Sequence, residues 1–151
     1  MRLTDRTDYA LRVLMILASS GQRHTVPALA EAFGVSANHL TKVVQALQGL
    51  GLVQTSAGRN GGVELAAQPS AVTVGEIVRA LEPDLHLVEC LREHSTCPLD
   101  GPCRLVGVVR NAQAAFLAEL DKATLADLIQ GRQRRLLRAV PSAVSVQGSA
   151  I

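Results

Sequence analysis

Aromatic residues are scarce in this sequence. They make up 2% of its 151 residues, and tryptophan is absent. The core must therefore be built from Leu, Val, Ile and Ala, which suits packed helices better than a β-sandwich. A chain of this length is expected to form one domain, or one domain with an arm.

Long apolar runs are missing as well. Residues 11–18 are apolar apart from Arg12, but this run falls short of the roughly 18 residues that a membrane-spanning helix requires. Residues 1–5 include an acidic residue and no small-residue cleavage site, unlike a signal peptide. We therefore expect a cytoplasmic protein with no membrane partner.

Catalytic signatures are also absent from the sequence. It contains no Cys-x-x-Cys, no nucleotide-binding glycine pattern and no His/Asp set suited to catalysis. Only the presence of cysteines supports a small redox enzyme or electron carrier. We therefore expect a protein that is not an enzyme.

Charge is distributed unevenly, although the formal net charge is only +2. Residues 1–62 carry six Lys/Arg against three Asp/Glu, and residues 63–130 carry five against ten. The positive N-terminal part is where a nucleic-acid surface is expected. Residues 131–151 carry four Arg and no acidic residue; we interpret them as a disordered basic tail, solvated rather than bound to DNA.

A first helix is predicted over 3–19, with Thr4 as its N-cap. Two short helical segments joined by a glycine turn follow it and predict a helix-turn-helix. The earlier segment is capped by Thr25 and ends at Gly34, and the later one begins after Ser36. The later helix carries an apolar stripe at helical spacing. The stripe consists of Leu40, Val43, Val44, Leu47 and Leu50.

A β-hairpin wing is predicted after this second helix. Residues 51–55 and 63–65 resemble strands, and Asn60-Gly61 between them is a strong hairpin signal. Arg59 at the tip would either enter a narrow minor groove or contact a phosphate. The polar face of the second helix could be a plain solvated surface, but the flanking helix and wing favour DNA contact. The candidate DNA-binding residues are Ser36, Asn38, His39, Thr41, Lys42, Gln45, Arg59 and Asn60.

Beyond the wing, a capping box at Thr73 opens a helix that ends near Glu82. A long helix over 104–120 carries an apolar stripe that needs a partner, and Thr124 caps a short last helix to residue 130. That stripe is Leu105, Val109, Ala112, Phe116 and Leu120. We expect a mainly α fold with a winged helix-turn-helix (1–82), a cysteine segment (83–103), a dimerisation helix with a following short helix (104–130) and the tail (131–151).

Three cysteines, Cys90, Cys97 and Cys103, follow the spacing C-x6-C-x5-C and are the only ones in the chain. An odd, clustered set in a reducing compartment indicates metal ligands or redox thiols rather than a disulfide. Spacing alone leaves three readings open: structural zinc, an iron–sulfur cluster and plain thiols. His94 and His86 are candidate additional ligands.

Four stretches together resemble the NsrR/IscR family of iron–sulfur winged-helix repressors, most closely its nitric-oxide-sensing members. The resemblance covers about residues 1–130 and departs from the family in the first cysteine interval, which holds six residues where five are typical of the cluster-assembly branch. The stretches are MRLT with TDYALR (1–4 and 7–12), GVSANHL (34–40), GRNGG with GEIVR (58–62 and 75–79), and residues 97–105 with the helical positions 116–117 and 125–128.

The resemblance implies a homodimeric repressor with an iron–sulfur cluster held by Cys90, Cys97 and Cys103, with 4Fe–4S favoured over 2Fe–2S. It also implies Asp8 as a fourth ligand, from the same or the other subunit; otherwise Asp8 only stabilises a helix N-terminus. Nitric oxide would nitrosylate the cluster and release the protein from an inverted-repeat operator. The alternatives are a regulator of cluster status or redox state in the same family, and a zinc-stabilised DNA-binding protein without a sensing role.

Overall fold

The computed structural model describes residues 2–58, 61–92, 94–99 and 103–140. Short 3-10 turns occur at Pro69–Ala71, Glu89–Leu91 and Asp127–Ile129. The helices and strands are, in chain order, α1 (Asp5–Ser20), α2 (Val26–Phe33), α3 (Ala37–Gly49), β1 (Val53–Ser56), β2 (Gly62–Leu65), α4 (Val74–Leu81), α5 (Arg104–Asp121) and α6 (Gly131–Leu137).

The first three helices begin where their capping residues predict. Thr4, Thr25 and Ser36 each accept a hydrogen bond from a backbone N–H in the first turn of α1, α2 and α3. Between α2 and α3, Gly34 adopts a left-handed conformation with φ 66°, and the N–H of Val35 bonds back to a carbonyl of α2 at 3.0 Å. These local contacts set the helix-turn-helix geometry.

The core forms around α1, which packs against α3, α4 and β2. The predicted stripe of α3 is confirmed at Leu40, Val43, Val44 and Leu47, which are buried. The prediction is wrong for Leu50, which is 42% exposed. The reason is that α3 ends at Gly49, so residue 50 no longer follows the helical face.

The predicted hairpin is confirmed as an antiparallel pair of β1 and β2, in which Thr55 lies opposite Val63. His24 forms an isolated bridge to Val63 on the outer side of β2. A Cβ at Gly62, which has φ 153°, would lie 2.5 Å from the carbonyl oxygen of His24, so this close approach requires glycine. The tip residues Arg59 and Asn60 lie outside the described residues.

Two contacts attach the C-terminal end of α5 and the residues that follow it to the rest of the domain. Arg79 on α4 donates two hydrogen bonds to the carboxylate of Asp121 at 2.6 Å each, which holds the pKa of Asp121 below its ordinary value. Thr73, whose capping box is confirmed, forms a bridge to Thr124. Thr124 accepts a hydrogen bond from the backbone N–H of Asp127 at 3.3 Å, but a 3-10 turn follows it instead of the longer helix that we predicted.

The tail prediction is wrong for its first part, because residues 131–137 form the helix α6 on the C-terminal end of α1. Ser19 donates its hydroxyl to the carbonyl of Arg134 at 3.2 Å, and Arg138 donates to the carbonyl of Ser19 at 3.0 Å. Leu137 and Val140 pack against the core, which compensates for ordering this basic stretch. Residues 141–151 lie outside the described residues.

Within the part of the chain that the structure describes, no helix combines the length and the apolar character that crossing a membrane demands.

Candidate DNA interface and cysteine segment

The polar side chains of α3 lie on the face opposite its buried stripe. Asn38, His39, Lys42 and Gln45 are exposed. Thr41 is half-buried and donates its hydroxyl to the carbonyl of Ala37 at 2.8 Å. Ser36 is exposed, and its hydroxyl caps α3. One helical face therefore offers amide, imidazole and ammonium groups to a ligand, whereas the predicted contacts of Arg59 and Asn60 lie outside the described residues.

The base of the wing is tied to the helices by polar side chains that sequence reasoning missed. Thr55 on β1 donates to Gln48 on α3 at 3.1 Å. Glu64 on β2 accepts from Arg23 at 2.9 Å and from Gln54 at 2.8 Å, and the hydrogen bond from Arg23 is the main cause of its lowered pKa. The cross-strand register that opposes Gln54 and Glu64 is the signal that could have identified this pair.

Asp8 lies in the first turn of α1, where a carboxylate favours the helix dipole. Both its oxygens contact Arg12 one turn later, at 3.0 Å from Nε and 2.8 Å from Nη2. The carboxylate is about half exposed and borders a shallow groove with Arg2 and Asp5. Binding of a metal by Asp8 would therefore have to displace Arg12 or share the carboxylate with it.

The three cysteines are unpaired and half-buried. Cys90 lies in the 3-10 turn Glu89–Leu91, and Cys103 is the N-cap of α5. Among the described residues, no group of three or more His, Cys, Asp or Glu is arranged to hold a metal ion. The donor set nevertheless fits an iron–sulfur cluster in kind, because three free thiols are soft ligands.

Polar contacts connect residues on both sides of Cys90. Asp84 accepts hydrogen bonds from the backbone N–H and the ring Nδ1 of His86, both at 2.8 Å, and it also contacts Arg92. These bonds, above all the one from the backbone N–H of His86, lower the pKa of Asp84. His86, a candidate ligand, is thus a partner of Asp84, whereas the other candidate, His94, is exposed.

A second polar contact brings the neighbours of two cysteines together. The hydroxyl of Thr96 donates to Glu89 at 2.6 Å, which is the main cause of the lowered pKa of Glu89. Glu89 precedes Cys90 and Thr96 precedes Cys97 along the chain. The structure thereby connects the turns that carry these two thiols, although it does not bring all three thiols to one point.

A cavity of about 520 Å³ lies between residues 82–88 at the start of the cysteine segment and α5. Val109 and Phe116 line it together with Leu3 and Leu87 of the same chain. The predicted stripe of α5 therefore does not form one outward face. The large apolar side chains most exposed on α5 are Leu105, at 57%, and Val108, at 65%.

Glu82 connects the start of the cysteine segment to the N-terminus of α1. Its Oε1 accepts from the backbone N–H of Thr4 at 2.8 Å and from the hydroxyl of Thr4 at 3.1 Å. Burial opposes ionisation of Glu82, yet hydrogen bonds from Thr7 and Thr4 outweigh it and hold its pKa below the ordinary value. No motif in the sequence marks Glu82 for a role beyond the end of α4.

Replacing Glu82 by Gln is expected to lower the free energy of unfolding by about 1 kcal/mol at neutral pH, because hydrogen bonds to a charged acceptor are weakened. The lowered pKa makes the wild-type advantage present above the ordinary carboxyl pKa of about 4.3 and lost as the pH falls through the folded-state pKa. Urea unfolding from pH 7 to pH 3 measures this difference. Equal stability of both proteins at pH 7 would contradict the role assigned to Glu82.

A helix-turn-helix followed by a two-stranded wing, with a long exposed helix beyond it, defines a winged-helix DNA-binding regulator. The chain belongs to the Rrf2 family, whose model, described as "Iron-dependent Transcriptional regulator", matches residues 3–131. The protein is accordingly a DNA-binding transcription regulator and not an enzyme, as we predicted.

Curated relatives make the family assignment more specific. The chain is 46% identical to the HTH-type transcriptional regulator NsrR of Shouchella clausii over 132 residues, which cover 85% of this chain and 89% of the relative. It is 41% identical to NsrR of Bacillus subtilis, with coverage of 88% and 93%. The structure of CymR, the global cysteine regulator of B. subtilis, matches with a TM-score of 0.69 and 27% identity, covering 85% of this chain and 95% of that one. The fold prediction is thereby confirmed.

Proposed function

We propose that this protein is a homodimeric cytoplasmic repressor that senses nitric oxide through an iron–sulfur cluster bound by Cys90, Cys97 and Cys103. The observation that carries the proposal is the set of three free, half-buried thiols on a segment that begins at the contact of Glu82 with the helix-turn-helix domain. Identities of 41–46% to proteins named NsrR support it, as does the family description as iron-dependent.

The chain supplies the ligands as follows. The three cysteines provide thiolates, and the Glu89–Thr96 and Asp84–Arg92 contacts hold the chain around Cys90 and Cys97. When bound, an iron–sulfur cluster supplies iron atoms with which nitric oxide reacts. Asp8 is the proposed fourth ligand, as the resemblance to the NsrR/IscR family implies. A carboxylate oxygen binds a soft site more weakly than a thiolate, which would leave that position open to exchange. We favour 4Fe–4S over 2Fe–2S.

A short path links the cysteine segment to DNA. Residue 82 opens the segment and bonds to the N-cap of α1, and α1 shares its core with α3. A change in the conformation of the segment would therefore act on the N-terminus of α1, and through the shared core on the polar face of α3. The wing would move together with α3, because the hydrogen bond between Thr55 and Gln48 connects it to that helix.

Dimerisation completes the DNA-reading unit. The exposed apolar side chains Leu105 and Val108 on α5 offer a surface for a second copy of the chain. Twofold pairing would place two α3 helices about 34 Å apart, or a multiple of that distance, which matches the half-sites of an inverted repeat. The operator is accordingly proposed to be an inverted repeat.

The test is anaerobic purification followed by absorption and electron paramagnetic resonance spectra, together with binding to a duplex selected from a randomised DNA pool, before and after nitric oxide. Loss of both the cluster spectrum and DNA affinity on nitric oxide is the expected result. Affinity that follows cluster occupancy but ignores nitric oxide would indicate a cluster-status regulator instead. A colourless zinc protein with unchanged binding would contradict sensing altogether.

Lys42 on the polar face of α3 tests DNA contact separately from sensing. If its ammonium touches a phosphate, Lys42→Ala should reduce the magnitude of the salt slope of DNA binding by about one unit. The only other lysine, Lys122, pairs with Glu119 on α5, so Lys122→Ala is a matched control with an unchanged slope. Identical slopes for all three proteins would remove Lys42 from the interface.

A further inference from the structure

Two of the three aromatic residues of the chain meet beside the helix-turn-helix. The ring of Tyr9 on α1 lies 6.0 Å, centroid to centroid, from the ring of Phe33, the last residue of α2. The same ring lies 5.5 Å from the imidazole of His39 in the first turn of α3, with an interplanar angle of 81°. Tyr9 therefore contacts both sides of the turn that joins α2 to α3.

The Tyr9 ring is well placed to orient His39. An edge-to-face arrangement is a favoured geometry for ring pairs, because the electropositive edge of one ring meets the electronegative face of the other. The guanidinium of Arg12 lies 5.6 Å from the centre of the Tyr9 ring, an attractive cation–π geometry that holds the ring from α1 itself. The Tyr9 ring is thus fixed by its own helix and by α2.

The side chain of His39 can be oriented by a neighbouring group. Its backbone N–H is held by the hydroxyl of Ser36 at 3.1 Å, whereas its side chain is exposed. An exposed side chain samples several rotamers unless a neighbour restricts it. The contact with Tyr9 supplies such a restriction at the N-terminal turn of α3, the part of a recognition helix that contacts base edges.

We propose that Tyr9 is a positioning residue for base recognition, which fixes the His39 imidazole so that one ring N–H donates to a purine acceptor in the major groove. Guanine and adenine both present N7 there as an acceptor, so the expected preference is for a purine at one operator position. This inference rests on the proposed DNA-reading role of α3 and is independent of the cluster and of nitric oxide.

The experiment selects duplexes from a randomised DNA pool with the full-length protein and its variants His39→Ala, Tyr9→Leu, Tyr9→Phe and the double variant Tyr9→Leu/His39→Ala. His39→Ala and Tyr9→Leu should each reduce purine preference at the same operator position by about tenfold. The double variant should lose no more purine preference than either single variant, because all three variants remove the same interaction. Tyr9→Phe keeps the ring and should keep the preference.

A purely structural role for Tyr9 would lower affinity for all duplexes equally without changing base preference, and that result would overturn the inference. Unchanged preference in His39→Ala would also overturn it, and this exposed substitution does not threaten the fold even if Tyr9→Leu unfolds. If the wild-type protein recovers no preferred sequence, the DNA-reading role fails and the inference fails with it. A recovered motif that Tyr9→Leu leaves intact contradicts the inference alone.

Discussion

Cys97→Ser is expected to give a protein that folds but holds no iron–sulfur cluster and does not respond to nitric oxide. A serine hydroxyl is a hard, weakly acidic ligand that binds iron less strongly than a thiolate, and loss of one of three thiolates exposes an iron to solvent. Cys97 lies outside the buried core, so circular dichroism should remain that of the wild type. Iron content and visible absorption of the anaerobic protein measure the loss.

Two control variants test whether loss of the cluster is specific to the cysteine ligands. His94→Ala removes an exposed side chain from the same segment and should leave the cluster in place. Asp8→Ala should still assemble a cluster on three thiolates but with altered spectra. A cluster that persists in Cys97→Ser would contradict the ligand set, and a spectrum changed by His94→Ala but not by Asp8→Ala would identify His94 as the fourth ligand.

The double variant Leu105→Asp/Val108→Asp is expected to be monomeric and to bind operator about 10²–10⁴-fold more weakly, because the second half-site is no longer delivered at high effective concentration. Both side chains are more than half exposed in the single chain, so the substitutions should not unfold it. Sedimentation and DNA titration measure the two effects.

Leu136 provides the matched control for the dimer. It is 70% exposed but lies on α6, so Leu136→Asp should leave a dimer with normal operator affinity. Monomers produced by Leu136→Asp but not by the α5 variant would move the interface to α6. Val109 and Phe116, which periodicity alone would have chosen for this test, are poor choices because they line a cavity within the chain.

The helix-turn-helix was predictable because its signals are local. Capping residues Thr4, Thr25 and Ser36 and the left-handed Gly34 act within a few residues of themselves. The hairpin was predictable for the same reason, since turn-forming residues between two short β-prone runs act locally.

Long-range contacts explain what the sequence did not reveal. Ser19 on α1 contacts α6 through a hydrogen bond to Arg134, which is 115 residues away. Periodicity shows that α5 is amphipathic but not which of its apolar residues the chain covers itself. The contact of Glu82 with Thr4 joins residues 78 apart, and no short motif marks it. The arrangement of the three cysteines likewise depends on contacts that spacing does not encode.

The lone tyrosine of this tryptophan-free chain has a practical consequence. Its ultraviolet fluorescence comes from a single ring, which contacts Phe33 at the turn of the helix-turn-helix and the imidazole of His39. Fluorescence lifetimes of the unlabelled protein therefore give a local optical reading of that turn, so movements of the DNA-binding domain can be followed without attaching a dye.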